Sequence, residues 1–213
     1  QIGVELAGTA SGEKFGSSLA LNGDGDRLAV GALGKVVIFD YNVVSGNFEQ
    51  TAVITPVSTN PLYIGALELS LEGDVLAISG VDQTLFTDVI SVYAETGGIW
   101  NQRGSSITQP TWGVPSTSLS LNGEILAIGE PEYDGVGTNS GRVRIFAYDT
   151  DTDTYIQLGN MLEGVQADEN FGSSVSLLTT GQAIVIGSSD YSGSVNDEGK
   201  LSLFGYDDTQ WVE

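Results

Sequence analysis

The sequence contains no cysteine and no histidine among its 213 residues. Without cysteine the chain cannot form disulfide bonds, so its stability must come from packing and hydrogen bonding. Without histidine or cysteine it cannot supply Ser-His pairs, Cys-His pairs or histidine-ligated metal centres. These absences predict that the protein is not an enzyme. The remaining catalytic alternative is a pair of carboxylates for glycoside hydrolysis, and nothing singles out two of the 28 acidic residues for that role.

Positive charge is scarce. Seven Lys and Arg residues stand against 28 Asp and Glu residues, which gives a net charge of −21. Such a chain is repelled by nucleic-acid phosphates and by anionic membrane surfaces. No run reaches the roughly 18 apolar residues that a transmembrane helix needs. The composition therefore excludes nucleic acid and membrane insertion, and it leaves a protein or glycan partner.

Glycine is abundant, and the 29 glycines are dispersed between short apolar runs. One unit recurs four times: an alternating run, a turn with Gly23, Gly73, Gly123 or Gly181, and then an apolar run rich in small residues. A second run follows each unit, and its fifth position is always aromatic. These aromatic residues are Phe39, Tyr93, Phe146 and Phe204, at spacings of 54, 53 and 58 residues.

Alternating apolar and polar residues are typical of strands, and four short strands in a repeat of this length are typical of a propeller blade. The sequence therefore predicts an all-β propeller with four-stranded antiparallel blades. The aromatic residues that open the last strand of each blade are expected to be packing residues. They are Phe48, Trp100, Tyr155 and Trp211.

The repeats divide residues 1–213, taken as one propeller domain, at about 7–54, 55–107, 108–162 and 163–213. The segment "QIGVEL" at 1–6 is similar to "QLGNML" at 157–162, whereas the last repeat stops at "QWVE". Residues 1–6 are therefore expected to complete the last blade and to cover its open edge. Two alternatives stay open, a closed ring of four blades and a part of a larger ring or assembly.

Two repeats begin with Phe-Gly-Ser-Ser, in "FGSSLAL" and "FGSSVSL", and the first continues to "VGA" at 30–32. This pattern resembles the FG-GAP repeat, which builds the propeller of integrin α-subunits. The other two repeats carry Gly65-Ala66 and Pro115-Ser116 where Phe-Gly would stand. The resemblance implies an extracellular or cell-surface propeller that acts in adhesion or ligand binding.

Members of that family often hold Ca²⁺ in a loop rich in Asp and Asn. Only Asn22, Asp24 and Asp26 offer such oxygens here, and the first Asp of the pattern is missing. A calcium ion needs six or more converging oxygens. We therefore expect a hairpin turn and no metal or cofactor, with Ca²⁺ as the alternative.

Two loops are longer than a hairpin needs, "EPEYDGVGTNSG" at 130–141 and "SSDYSGSVNDEG" at 188–199. Long loops at one end of a rigid scaffold often carry binding groups. Their tyrosine, aspartate and asparagine side chains suit a sugar or a cation, or they are polar connections only. Trp112, which departs from the repeat pattern, is a further candidate. The candidate ligand-binding residues are Trp112, Tyr133, Asp134, Asn139, Asp190, Tyr191 and Asp197.

The features together predict a structural, adhesive or protein-interaction propeller outside the cell, belonging to a larger multi-chain or multi-domain assembly. A carbohydrate-binding propeller is the alternative from another class. A carboxylate glycosidase is the third hypothesis.

Overall fold

The computed structural model describes residues 3–58, 60–110 and 115–213. Across these ranges the chain forms strands and turns and contains no helix, which confirms the all-β prediction. In the same ranges no helix is available that could cross a membrane. The chain divides into two compact units, Gln1–Gln109 and Pro110–Glu213, and each unit contains two antiparallel sheets.

The first unit contains sheets 1 and 2, each with its four strands paired in chain order. Sheet 1 consists of β1 (Leu19–Leu21), β2 (Arg27–Ala32), β3 (Lys35–Asn42) and β4 (Asn47–Ile54). Sheet 2 consists of β5 (Tyr63–Leu69), β6 (Val75–Asp82), β7 (Thr87–Thr96) and β8 (Ile99–Pro110).

The second unit contains sheets 3 and 4, which follow the same order. Sheet 3 consists of β9 (Ser116–Leu119), β10 (Ile125–Glu130), β11 (Arg142–Asp149) and β12 (Thr154–Gln157), and β13 (Leu162–Glu163) also pairs with β11. Sheet 4 consists of β14 (Phe171–Leu177), β15 (Ala183–Ser188), β16 (Lys200–Tyr206) and β17 (Trp211–Val212). Four antiparallel sheets in series are the blades that the repeat predicts.

The turns between the first two strands of each sheet use glycine with positive φ, as Gly73, Gly123 and Gly181 do. In sheet 1 the structure corrects the prediction, because the residue with positive φ is Gly25 at +71° and not Gly23. The Gly25 N–H donates to the carbonyl of Asn22, just as Gly73 donates to Ser70. The turn has the same length as that of sheet 2, and Gly23 stands in the place of Leu71, so aligning the first glycine misplaces the turn.

Within the first unit, sheet 1 packs on sheet 2. We name the face of a sheet that packs on the following sheet its trailing face, and the opposite face its leading face. Val36 and Ile38 on the trailing face of sheet 1 are fully buried in one cluster with Ile64, Leu76 and Ile78 of sheet 2. The contact buries aliphatic side chains of both sheets and so stabilises the unit.

Within the second unit, sheet 3 packs on sheet 4 in the same way. Val143 and Ile145 on the trailing face of sheet 3 share a core with Phe171, Ile184 and Ile186 of sheet 4. Small residues permit the close approach, as predicted. A methyl group on Gly129 would collide with the backbone carbonyl of Gly172.

The aromatic residues of the last strands pack as predicted. Trp211 is buried, and its indole N–H donates to the carbonyl of Leu158 at 2.9 Å. Its ring centroid lies 5.2 Å from that of Tyr206. Trp100 is partly buried against the core of the first unit. These side chains hold the outer strands of their sheets.

Residues 3–6 lie against sheet 1, where the Val4 N–H donates to Oδ1 of Asn47 at 3.0 Å. The similar segment at 157–162 lies against sheet 4, where Oδ1 of Asn160 accepts from the Trp211 N–H at 2.7 Å. In each unit such a segment thus hydrogen-bonds to an outer strand, with the segment as donor in the first unit and as acceptor in the second. Pairing of residues 1–6 with the last sheet, the single domain and the closed ring stay predictions.

Candidate functional site

The two long loops predicted as binding loops fold alike. The first connects β10 to β11 and the second connects β15 to β16. In each, a glycine with positive φ before the returning strand donates its N–H to a tyrosine carbonyl. Gly141 donates to Tyr133 at 2.9 Å and Gly199 donates to Tyr191 at 3.0 Å. The loops are therefore two copies of one structure, placed at the same end of their sheets.

The polar residues of these loops mainly form hydrogen bonds within their own loop. The N–H of Asn139 donates to Oδ1 of Asp134 at 2.9 Å, and the N–H of Asp197 donates to Oγ of Ser192 at 3.0 Å. Asn139 and Asp197 both adopt positive φ, a conformation that Asn and Asp tolerate better than most residues. These predicted ligand residues thus determine loop shape, and their contact with a ligand stays a prediction.

Each loop tyrosine has a cation over its ring. The guanidinium carbon of Arg142 lies 3.8 Å from the ring centroid of Tyr133, and Nζ of Lys200 lies 5.5 Å from that of Tyr191. Such cation–π contacts are attractive because the ring face is electron-rich. One face of each ring is therefore occupied, which leaves at most the other face for stacking on a sugar.

Arg142 and the neighbouring Arg144 are fixed by a buried carboxylate. Glu130, at the end of β10, is 3% exposed and pairs with both guanidinium groups. Arg144 donates through Nε at 3.0 Å and through Nη2 at 2.6 Å. Breaking such a pair would leave a buried charge without its partner, so Glu130 holds Arg142 over Tyr133.

A third segment, residues 165–170, connects the two loops. The N–H of Asp168 donates to the carbonyl of Thr138 at 2.7 Å, and that of Asn170 donates to the carbonyl of Asn139 at 3.0 Å. The Asn170 side chain also donates to the carboxylate of Asp190 in the second loop. Asn170 therefore brings both predicted loops together. Sequence reasoning missed it, although its place directly before Phe171-Gly172 was the available signal.

The third segment is itself closed by a buried acid. Oε2 of Glu169 accepts the N–H groups of Val165 at 2.6 Å and Gln166 at 3.2 Å, and its Oε1 accepts the hydroxyl of Ser188 at 3.0 Å. The same arrangement occurs in the first unit, where Oε2 of Glu13 accepts from Thr9 and Ala10. Both glutamates stand two residues before Phe-Gly.

Hydrogen bonds thus join three segments into one surface, which we name the acidic loop face. Its exposed carboxylates are Glu132, Asp134, Glu163, Asp168, Asp190, Asp197 and Glu198. Three exposed valines stand among them, Val136, Val165 and Val195. In the part of the chain that the structure describes, no three acidic side chains converge on a position that could hold a metal ion.

The structure brings Tyr133, Asp134, Asn139, Asp190, Tyr191 and Asp197 to this one surface of the second unit. Trp112 lies outside the described residues. In the candidate calcium turn the Asn22 side chain forms hydrogen bonds within the turn itself. Its Oδ1 accepts from the N–H groups of Asp26 and Arg27, and its Nδ2 donates to the Asp26 carboxylate.

No protein-family model matches this sequence. No curated protein matches it either. Solved structures, by contrast, superpose on it well at low sequence identity, so the comparisons inform the fold alone.

Three solved structures illustrate the similarity. The periplasmic gluconolactonase PpgL of Pseudomonas aeruginosa has a TM-score of 0.60 at 11% identity, over 98% of this chain and 58% of its own. A putative 6-phosphogluconolactonase of Bacteroides uniformis has a TM-score of 0.56 at 13% identity, over 92% and 57%. The β-propeller domain of Cps50 (Swd1) from Myceliophthora thermophila has a TM-score of 0.52 at 14% identity, over 79% and 49%.

These similarities support the propeller architecture, and the chain spans about half the length of the proteins that it resembles. They also correct one prediction. The prediction that this chain is not an enzyme was wrong to treat the missing His and Cys as excluding catalysis, because two structures with this fold are described as lactonases. The absence of His and Cys excludes only the chemistries that need those residues; carboxylate, tyrosine, serine and lysine groups remain for others.

Proposed function

We propose that this chain is a protein-interaction propeller whose acidic loop face binds a basic segment of a partner protein. The observation that carries the proposal is the joining of three segments into one surface with seven exposed carboxylates and three exposed valines. Carboxylates of one sign attract a cationic partner and speed its association. The valines supply apolar area that a partner can bury, which the carboxylates do not provide.

The surface is pre-organised for such a role. The side chains of Asp134, Glu169 and Ser192 accept hydrogen bonds from backbone N–H groups and so close the loops. Little conformational entropy is therefore lost when a partner binds. The exposed carboxylates can then accept hydrogen bonds from lysine or arginine side chains. The cations over Tyr133 and Tyr191 make these rings poorer platforms for a sugar than the sequence predicts.

The proposal extends to an FG-GAP-type propeller outside the cell. Its support is the pair of Phe-Gly-Ser-Ser segments, whose phenylalanines take equivalent places: Phe15 packs edge-on to Phe39, and Phe171 packs edge-on to Phe204. A strongly acidic chain also suits a salty medium, in which self-repulsion is screened.

Charge reversal tests the binding face. The probe is a fluorescently labelled peptide of alternating lysine and valine, with binding followed by fluorescence anisotropy at low and high salt. We expect Glu132→Lys with Glu163→Lys to weaken binding by about tenfold or more, which corresponds to about 1.4 kcal/mol. The wild type should lose affinity as salt rises.

The matched control reverses two exposed acids that are not part of this face, Glu72→Lys with Asp151→Lys. Asp151 follows the opposite end of β11, and the control changes the net charge by the same amount. Near wild-type binding by the control supports a localised site. Equal loss in both double variants would mean that the peptide senses only the net charge, and the proposal would be wrong.

Hydrolysis of a sugar lactone is a second candidate, favoured by the two lactonases among the similar structures. The assay follows gluconolactone consumption by the purified chain against buffer alone. A rate above buffer that a carboxylate-to-amide substitution abolishes would support this candidate. A rate equal to buffer would exclude it.

A further inference from the structure

The trailing face of sheet 4 carries core residues that are exposed. In sheet 1 the trailing positions hold Val36 and Ile38, and in sheet 3 they hold Val143 and Ile145. All four side chains are fully buried against the next sheet. Counted from the repeated aromatic residue, the matching positions of sheet 4 are Leu201 and Leu203, which are 75% and 59% exposed.

The same face of sheet 4 also has an open cleft at the position where the corresponding serines of sheets 1 and 3 contact the next sheet. The hydroxyl of Ser17 in sheet 1 donates to the carbonyl of Ile64 in sheet 2, and that of Ser116 in sheet 3 donates to the carbonyl of Gly172 in sheet 4. In sheet 4 the corresponding serines are Ser173 and Ser174. Together with Gly187 they line an open cleft of about 430 Å³. Leu201 lines this cleft as well.

The leading face of sheet 1 shows the complementary exposure. Leu19 and Leu21 on β1 are 62% and 56% exposed. Their counterparts on β14, Val175 and Leu177, are partly buried in the core that sheet 4 shares with sheet 3. Sheet 4 and sheet 1 therefore each have a face of the kind that packs on a neighbouring sheet within the units, and both faces retain exposed leucines.

We propose that the trailing face of sheet 4 binds the leading face of sheet 1 in a second copy of this chain. The contact would repeat the packing of sheet 3 on sheet 4, with Leu203 in the place of Ile145 and Leu201 in the place of Val143. A trailing face that binds a leading face is a heterologous contact, which can close into a ring.

The size of the related propellers favours a second copy as the occupant. This chain covers only 49% to 58% of their lengths. Two copies supply eight sheets, within the range of four to eight blades that propellers use. The inference goes beyond the proposed function and does not rest on it. The cleft borders the acidic loop face at Glu198, so the tests below substitute leucines that are not part of that face.

Sedimentation velocity over a range of micromolar concentrations tests the contact. The wild-type chain should shift from monomer to a larger species as concentration rises. Leu203→Lys or Leu201→Gln on the trailing face, and Leu19→Lys on the leading face, should each weaken association by about tenfold or more, because they place polar groups in an apolar contact. Leu85→Lys, in the turn between β6 and β7, is the control at a similarly exposed leucine and should associate like the wild type.

Mixing completes the test. Leu203→Lys retains its leading face and Leu19→Lys retains its trailing face, so an equimolar mixture should form a one-to-one dimer that neither variant forms alone. A wild-type chain that stays monomeric throughout would overturn the proposal. Protection of a Leu203→Cys thiol in such a monomer would assign the face to an occupant within the same chain. Unchanged association of all trailing-face variants would also overturn it.

Discussion

At the scale of the residue, Phe171 shows how one side chain connects two sheets. It begins β14, is 3% exposed and packs edge-on to Phe204 in the core that sheets 3 and 4 share. The backbone of Gly141 pairs with it in an isolated bridge, which fixes the base of the first binding loop. Its side chain therefore supports both the core and the acidic loop face.

Truncation of this side chain is expected to be costly. Phe171→Ala should lower the free energy of unfolding by about 3 to 5 kcal/mol, because it removes buried ring contacts and leaves a cavity. Urea denaturation provides the measurement. Phe86→Ala serves as the matched control, since Phe86 is 52% exposed and its loss should change stability much less. Equal losses in the two variants would show that Phe171 does not belong to the core.

At the scale of the element, the segment before each Phe-Gly is closed by a glutamate. Glu13 is the clearer case. Its Oε1 lies 2.7 Å from Nζ of Lys35, and its Oε2 accepts from the backbone of Thr9 and Ala10. The Lys35 hydrogen bond, followed by those backbone bonds, lowers the pKa of Glu13 from 4.5 to about 2.

This shift predicts a pH dependence. A lowered pKa in the folded state means that the Glu13 carboxylate contributes its stabilisation above pH 4.5 and loses it as the pH falls from 4.5 towards 2. Thermal melting should therefore show wild type more stable than Glu13→Gln at neutral pH, with the gap closing in that window. Glu72→Gln, at an exposed turn, should show no such gap. A gap that is constant with pH would contradict this role for the Glu13 charge.

The strands and sheets could be predicted because the sequence repeat and the structural repeat have the same length. The alternation in the first strand of each repeat and the recurring aromatic residue located every sheet, because strands and their buried faces repeat with the chain. The first turn was misplaced because "NGDGD" contains two glycines, and only the backbone conformation distinguishes Gly25 from Gly23. Local sequence cannot choose between two residues that are equally suited to positive φ.

The site was predicted only in outline, because its bonds join distant parts of the chain. The loops at 130–141 and 188–199 could be found from their length and composition. The roles of Asp134 and Asn139 could not, since a carboxylate that closes a loop and one that binds a ligand look the same in sequence. Asn170 was missed because it belongs to a connecting segment between two repeats, and only the fold places it between the loops.

At the scale of the whole molecule, one contact explains the architecture of each unit. A trailing face of aliphatic residues packs on the leading face of the next sheet, in the first unit and again in the second. The acidic loop face depends on this stacking, because its three segments come from sheets 3 and 4 and from the connection between them. If the stacking were different, the candidate site would not exist.

The stacking of sheet on sheet can be tested with a methyl nuclear Overhauser spectrum of the chain, recorded with labelled isoleucine, leucine and valine methyl groups. We expect cross-peaks from the methyls of Val143 and Ile145 in sheet 3 to those of Ile184 and Ile186 in sheet 4, since all four share one buried core. Cross-peaks confined to pairs within single sheets would contradict the stacking of sheet on sheet.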